Sequence, residues 1–258
     1  MNVNIVCMKW GQRYGTHYVN LLYRGIKKHL SLPFNFVCFT DSGQGMDAGI
    51  HVRDLRELVA HESMRNTVYT KYTIMHSSIG LTGPTLFLDI DLMIMNPIDD
   101  LFTWNKGRFC IIHNWIAWRK TMLQKRPRIG NSSVFRFDAG TGAYDHVLES
   151  YLKDPRHVYE AFDTEQAFMS HCVASEIHFW PSEWVQSFKA DCSWAFPLNF
   201  VLKPQVKQAT KILVFHGRPD PHEAIHGYRA SLRKSSLPLP ELAQHWDVTG
   251  EQIATKAA

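Results

Sequence analysis

The stretch "PTLFLDIDLMIMNPI", residues 84–98, is a nearly unbroken apolar run that holds two carboxylates, Asp89 and Asp91, with one residue between them. An ionised carboxylate in such surroundings is costly unless something positive or hydrogen-bonding compensates it. The run reads as an inner strand of a sheet. Residues i and i+2 of a strand point to one face, so the two acids can converge on one cation or on groups bound to it. Oxygen ligands select magnesium or manganese over softer metals. The plainer alternative, that both acids cap helices or pair with arginines, stays open, because D-x-D alone is a weak signal. The apolar run leading into the acids favours function.

Outward from this run, the pattern is that of an α/β chain. Residues 3–9, "VNIVCMK", and 33–40, "PFNFVCFT", are short apolar runs, and "THYVNLLYRGIKKHLSL" between them has apolar residues at helical spacing. Parallel strands covered on both faces look continuously apolar, and ligands collect at their carboxyl ends. The polar residues to watch are therefore Lys9, Trp10 and Gly11 after the first strand, and Thr40, Asp41 and Ser42 after the second. Residues 68–79 fit a helix, 108–115 and 131–138 strands, 144–154 and 164–174 helices, and 211–217 a last strand. Asp163 or Thr164 is the expected cap of the helix at 164. The sequence after 226 reads as a proline-broken tail, which divides the chain into a main domain, 1–225, and a C-terminal extension, 226–258.

The chain has 258 residues, 45% hydrophobic and 20% charged, which is ordinary for a soluble globular protein. No apolar stretch reaches the roughly 18 to 20 residues of a membrane span. The start, "MNVNIVCMKWGQ", lacks the basic flank and small-residue cleavage site of a signal peptide, so a cytoplasmic location is expected. Five scattered cysteines, Cys7, Cys38, Cys110, Cys172 and Cys192, read as free thiols. A formal charge of +4 is a mild basic bias toward anionic ligands or membrane surfaces.

A second segment supplies what the acids lack. "ILVFHGRPDPHE", 212–223, puts His216 just past a buried strand, where a neutral imidazole can join carboxylates, phosphate oxygens and water around a metal. Gly217 permits close backbone approach, and Arg218 can meet phosphate oxygens in a bidentate fork. A lone histidine is more often structural; the glycine, the arginine and the paired acids argue otherwise here.

With both segments in hand, the sequence resembles nucleotide-sugar-dependent glycosyltransferases of the GT-A fold, most closely the retaining type of glycosyltransferase family 8. "FLDIDLMIMNPIDDLF" is similar to the strand bearing their D-x-D metal motif. "GNSSVFRFD" resembles their asparagine-serine-glycine strand, with Ser133 in place of the glycine. "DTEQAF" is similar to their acidic-glutamine motif, with Glu165 where aspartate is usual, and "FHGRPDPH" to their histidine-glycine motif, with Arg218 and Asp220 departing from lysine-proline. The resemblance implies a GT-A, Rossmann-like and mainly parallel sheet flanked by helices. It implies a Mn2+ or Mg2+ ion held by Asp91 and His216, with Asp89 on the metal or the ribose, and Lewis-acid assistance to the leaving diphosphate. Asn131, Ser132 and Ser133 would face the sugar, and Asn131, Glu165 and Gln166 would be the catalytic set, Asn131 and Gln166 holding the sugar, with Glu165 as the general base of an inverting transfer the alternative to retention; Lys71 would contact phosphate or sugar, and Thr40 and Asp41 would read uracil or ribose. For Lys71 a solvated surface lysine, and for Asp41 a turn former, are the alternatives.

Between His113 and Asn131, tryptophans interleave with Arg119, Lys120, Lys125, Arg126 and Arg128. This stretch suits closure over the donor, a sugar acceptor stacked on Trp115 or Trp118, or acidic lipid at the inner face of a membrane; a solvated face over two core tryptophans is the alternative. A nucleic-acid partner is disfavoured, since no recognisable binding module accompanies the charge. The expected activity is hexosyl transfer from a nucleotide diphosphate sugar, UDP-sugar first, to a glycan or lipid-linked acceptor. A haloacid dehalogenase-type phosphatase also carries D-x-D after an apolar strand, but on its first strand. A non-catalytic sugar-nucleotide or glycan-binding module of the same fold is the remaining alternative.

Overall fold

The structure, a computed structural model, describes residues 2–115 and 129–246. Its main sheet has the order β3-β2-β1-β4-β7-β6-β8, built from β1 Val3–Lys9, β2 Phe34–Thr40, β3 Ile50–Asp54, β4 Gly83–Leu88, β6 Phe109–His113, β7 Gly130–Ala139 and β8 Ile177–Phe179. Strands β3, β2, β1 and β4 run parallel, β8 runs parallel to β6, and β7 lies antiparallel to β4 and β6. All seven residues of β1 are buried, as a central parallel strand demands. Val3, Ile5 and Cys7 enter the core under helix α1, Thr16–His29, whereas Val6 and Met8 pack with Phe39, Phe87 and Phe135 on the other face. The expected α/β class, with a mostly parallel sheet flanked by helices, is what the chain forms.

The opening run is not one strand. β4 ends at Leu88, and Asp89, Ile90 and Asp91 form a bend that leads into β5, Leu92–Ile94, in a second sheet of order β5-β10-β9 with β9 Val185–Ser187 and β10 Ile212–Val214. The apolar pattern continues across the bend because each half is buried in its own sheet: Leu86 and Leu88 on one side, Leu92 and Ile94 on the other. The same-face argument from strand geometry therefore does not apply to the two acids. Backbone bonds hold the bend from both sides, Asp89 N–H donating to Ser133 O at 2.8 Å and Phe215 N–H to Asp91 O at 3.1 Å.

The helix expected over 68–79 is broken into a 3-10 turn, the short helix α2 Lys71–Met75 and a second 3-10 turn. Side-chain caps explain the breaks: Thr67 accepts from Tyr69 N–H and His76 from Ser78 N–H, which competes with continuous helix. Residues 144–154 and 164–174 do form helices, α3 Asp145–Lys153 and α5 Glu165–Cys172, with α4 Pro155–Ala161 between them. Thr164 is the cap of α5, accepting from Ala167 N–H. After α6, Pro221–His226, the chain adds a hairpin of β11 Tyr228–Ser231 and β12 Lys234–Ser236. Leu239, Leu242 and Trp246 then pack into the core beneath α1, Trp246 edge-on to Tyr18 at 5.1 Å, so the described part of the C-terminal extension is joined to the main body. All five cysteines are free. No helix among the described residues is long and apolar enough to cross a membrane.

Where this extension meets α1, the rings of His29 and His245 lie 6.2 Å apart in a cavity also lined by Arg24, Lys28 and Gln244. His29 Nε2 and His245 Nδ1 are buried without a hydrogen-bond partner. Burial, with the charge of Lys28, lowers both imidazole pKa values from the ordinary 6.5. The unfolded chain then binds protons more readily than the folded one just below pH 6.5, so the stability these histidines contribute is complete above that value and is lost as the pH falls through and below it. Urea unfolding on either side of pH 6.5 is expected to show this slope. His29→Gln should flatten it, and an unchanged slope would contradict the assignment.

Candidate active site

The acids of the bend find their cation in Lys71. This lysine opens α2, is only 3% exposed, and places Nζ 3.0 Å from Asp89 Oδ1 and 3.9 Å from Glu165 Oε1. It also donates to Ser132 O at 3.1 Å and Ser132 Oγ at 3.2 Å and lies over the Phe87 ring. Burial pushes its pKa down, but the two carboxylates outweigh burial and the net shift is upward, so the ammonium stays charged. The surface-lysine alternative is thus corrected: the helix start that carries Lys71 is turned into the core.

Glu165, at the first turn of α5, is buried; its carboxylate accepts from Ser132 Oγ–H. Burial raises its pKa, and Lys71 opposes the rise. Gln166 Oε1 accepts from Ser132 N–H at 3.3 Å, and Asn131 Oδ1 from Ser133 N–H at 3.0 Å. A register shift between Ile111 and Ile112 in the β6–β7 ladder, opposite this segment, marks an irregularity that re-aims Asn131, Ser132 and Ser133. Asn131, Ser132, Ser133, Glu165 and Gln166, separated in sequence, thus meet beside Lys71 and Asp89.

Asp91 faces the other way. Its Oδ2 accepts from Tyr14 O–H at 3.1 Å, and Tyr14 also reaches Asp220 Oδ1 at 3.3 Å. Burial and the charge of Asp89 push the Asp91 carboxyl up to about 7, so the two acids remain electrostatic neighbours despite the bend. Asp220 is buried and pairs with Arg218 at 3.3 Å, while Arg218 also bridges to Glu223. Arg218 is therefore held by the chain's own acids at the rim of the site. Gly217 has φ +84°, and a Cβ there would meet nothing within 4 Å, so glycine is required for the backbone turn and not for space.

His216 follows the Phe215–Asp91 contact directly, so the pairing of β10 with β5 brings it to the D-x-D bend from more than a hundred residues away. Its ring stacks on Trp115 at 5.3 Å, and Nε2 lies 2.7 Å from Ser187 Oγ. Burial, with the charge of Lys189, lowers its pKa, which keeps the imidazole neutral and suited to a metal. Two carboxylates and a neutral imidazole are donor types that fit a hard divalent cation, and the raised pKa of Asp91 shows that Tyr14 and the more distant Lys71 leave its ionised form under-compensated. Their side chains are not gathered into one shell, however: Asp89 is turned to Lys71 and His216 to Ser187. Among the described residues no group of three or more His, Cys, Asp or Glu is arranged to hold a metal ion.

At the neighbouring strand ends, Lys9 Nζ is 3.8 Å from Asp41 Oδ1, and Asp41 Oδ2 accepts from Gly11 N–H at 2.8 Å. Thr40 Oγ1 donates to Ser42 O, and Trp10 packs half-buried on the core. Asp41 thus ties the ends of β1 and β2 together, beside the carboxyl end of β4. Trp118, Arg119, Lys120, Lys125, Arg126 and Arg128 lie outside the described residues, and of that stretch only its ends, including Trp115, are placed. Tyr14 and Ser187 escaped the sequence reading. Tyr14 sits just past the watched end of β1, which is the one local signal for it; Ser187 has none, since it matters only through the fold.

No protein-family model and no curated protein matches the sequence. Among solved structures, the chain is similar to the galactosyltransferase LgtC in complex with donor and acceptor sugar analogues, with TM-score 0.59 and 10% identity over 84% of this chain and 88% of that one. It is also similar to the glycosyltransferase GlyE of Streptococcus pneumoniae TIGR4, with TM-score 0.57 and 10% identity over 84% of this chain and 56% of that one. The bifunctional glycosyltransferase WbbM gives TM-score 0.56 and 13% identity over 85% of this chain and 46% of that one. The chain thus spans about half the length of GlyE and WbbM. The fold is the GT-A fold that the motifs imply.

Proposed function

We propose that this chain is a glycosyltransferase that moves a hexose from a nucleotide diphosphate sugar, UDP-sugar first, to a glycan or lipid-linked acceptor, with Mn2+ or Mg2+ as cofactor. The observation that carries this is the charged cluster of Asp89, Asp91, Lys71 and Glu165 at the end of β4, on a GT-A sheet, with His216 alongside. In this reading Asp91 and His216 would hold the ion, which would supply positive charge to a departing diphosphate. Lys71, fixed by Asp89 and Ser132, presents its positive field to the sugar end of the donor. Arg218, at the rim, is placed to exchange its partner acids for phosphate oxygens. Lys9, Trp10, Thr40 and Asp41 flank the nucleoside end, and Trp115 offers an apolar face beside His216.

Transfer with retention is the finer part of the proposal. Asn131 and Gln166 position the sugar while a diphosphate oxygen takes the acceptor proton, so orientation and charge stabilisation carry the rate. The burial of Glu165 against Lys71 and Ser132 supports a positioning role for it over that of a general base. The test is hydrolysis and transfer across a panel of nucleotide sugars, with Mn2+ and with excess EDTA, followed by NMR of the fresh product. Metal-dependent turnover with retained configuration is expected. Binding of UDP without any turnover would mean a binding module, undiminished turnover in EDTA would remove the metal, and a β-linked product from an α-linked donor would refute retention.

A further inference from the structure

Beyond the site, six of the eleven large apolar side chains exposed among the described residues lie on one feature, while Val52, Val68, Trp104, Leu152 and Tyr159 are scattered over the rest of the surface. Trp194, Phe196, Leu198, Val201 and Leu202 follow one another on the segment after β9, and Leu232 sits at the tip of the β11–β12 hairpin. Val201 is 70% exposed, Leu232 66% and Phe196 49%, far beyond what a residue of a packed core shows. The two pieces are fastened together: Asn199 Nδ2 donates to Leu232 O and to Ser235 O, both at 3.1 Å, and Arg229 lies over the Phe200 ring. Trp194 has its indole N–H satisfied by Lys203 O, which leaves the ring at the surface without a polar debt. A contiguous exposed patch of this kind marks an interaction surface.

The charge around the patch says what it meets. Lys189, Lys203, Lys207, Arg229, Arg233 and Lys234 are all exposed on these two pieces, against the single acid Asp191. That local excess of five positive charges is larger than the +4 of the whole chain, so the remainder is close to neutral. Protein interfaces are depleted in lysine, whereas aliphatic and aromatic side chains inside a lysine and arginine rim match the boundary of an anionic bilayer. We infer that the segment 189–207 and the β11–β12 hairpin form a membrane-docking surface for anionic lipid. Both pieces lead directly from the site, one from Ser187 and the other from His216 through α6, so docking sets the site beside the bilayer. The inference rests on this patch and not on the transfer chemistry.

Sedimentation of the full chain with phosphatidylcholine vesicles, with and without phosphatidylglycerol, tests it. Binding is expected only with phosphatidylglycerol present, and weaker as salt is raised. Arg233→Gln with Lys234→Gln should weaken binding by about 25-fold, about fivefold per cation, and Val201→Ser with Leu232→Ser by about tenfold. These side chains are exposed, so both variants should keep the wild-type melting temperature and far-UV dichroism. Equal binding to neutral vesicles, or wild-type affinity in both variants, would overturn the inference. So would a lipid-free dimer that Val201→Ser with Leu232→Ser disperses, since the patch would then join copies of the chain.

Discussion

Lys71→Met is expected to lower the unfolding free energy by about 3–5 kcal/mol, the usual effect of removing one partner from a buried ionic group. Methionine fills a similar volume, so the loss is electrostatic: Asp89 and Glu165 are left without their cation, and Ser132 loses the ammonium that caps its carbonyl. The pH dependence identifies the cause. Burial already raises the Glu165 pKa, and without Lys71 it rises further. A carboxyl whose folded pKa lies above its unfolded value favours the folded state when protonated, so the variant should recover stability toward acid and lose it as pH rises. Glu165→Gln in the Lys71→Met background is expected to restore part of the loss, because it removes the uncompensated charge. Urea denaturation of the single and double variants measures this. A loss below about 1 kcal/mol for Lys71→Met would mean that the ammonium is not the compensating group.

Asp91→Asn is expected to reduce transfer by roughly 10²–10³-fold, the scale on which a preorganised charged or hydrogen-bonding group acts at a transition state. The amide keeps the shape and can still accept from Tyr14, but it loses the charge that a cation requires. The same change should raise stability in metal-free buffer above neutral pH. Burial and Asp89 push the Asp91 carboxyl up to about 7, so its ionised form is disfavoured in the folded chain. In the wild type, stability is therefore lost as pH rises from the unfolded carboxylate range through about 7, and the neutral amide escapes that loss. A gain on the order of 1–2 kcal/mol is expected at pH above the Asp91 value, about a third of the ceiling set by that shift. Activity and stability moving in opposite directions is the mark of a residue kept for function. Retained transfer, or a loss of stability, would remove Asp91 from the centre of the site.

The strands at 3–9 and 34–40, the helix between them and the helix entered through Thr164 were legible because each signal is local. A strand buried on both faces must be apolar at every position, and a helix on a sheet must be apolar at every third or fourth. The D-x-D run stood out for a similar reason: two acids in an apolar stretch need compensation wherever the stretch lies. Its division at Leu88 was not legible, because β4 and β5 are both buried and the pattern does not change when the chain passes from one sheet to the other. The edge strand β3, with exposed His51 and Val52, and the short strands β8, β9, β11 and β12 give too few residues for a period to emerge.

By itself the sequence determined the α/β class, the order of the chemistry-bearing segments and the acids that need compensation. Which group compensates each acid was decided only by tertiary structure. Lys71 meets the Ser132 oxygens across 61 positions and Glu165 across the α5 start, and Tyr14 meets Asp220 across 206. Hydrophobic periodicity reports how much water a residue loses, which neighbouring residues in the chain share. A buried charge instead requires one particular partner within a few ångströms, and that proximity exists only after β1, β4, β7 and β10 have been brought side by side.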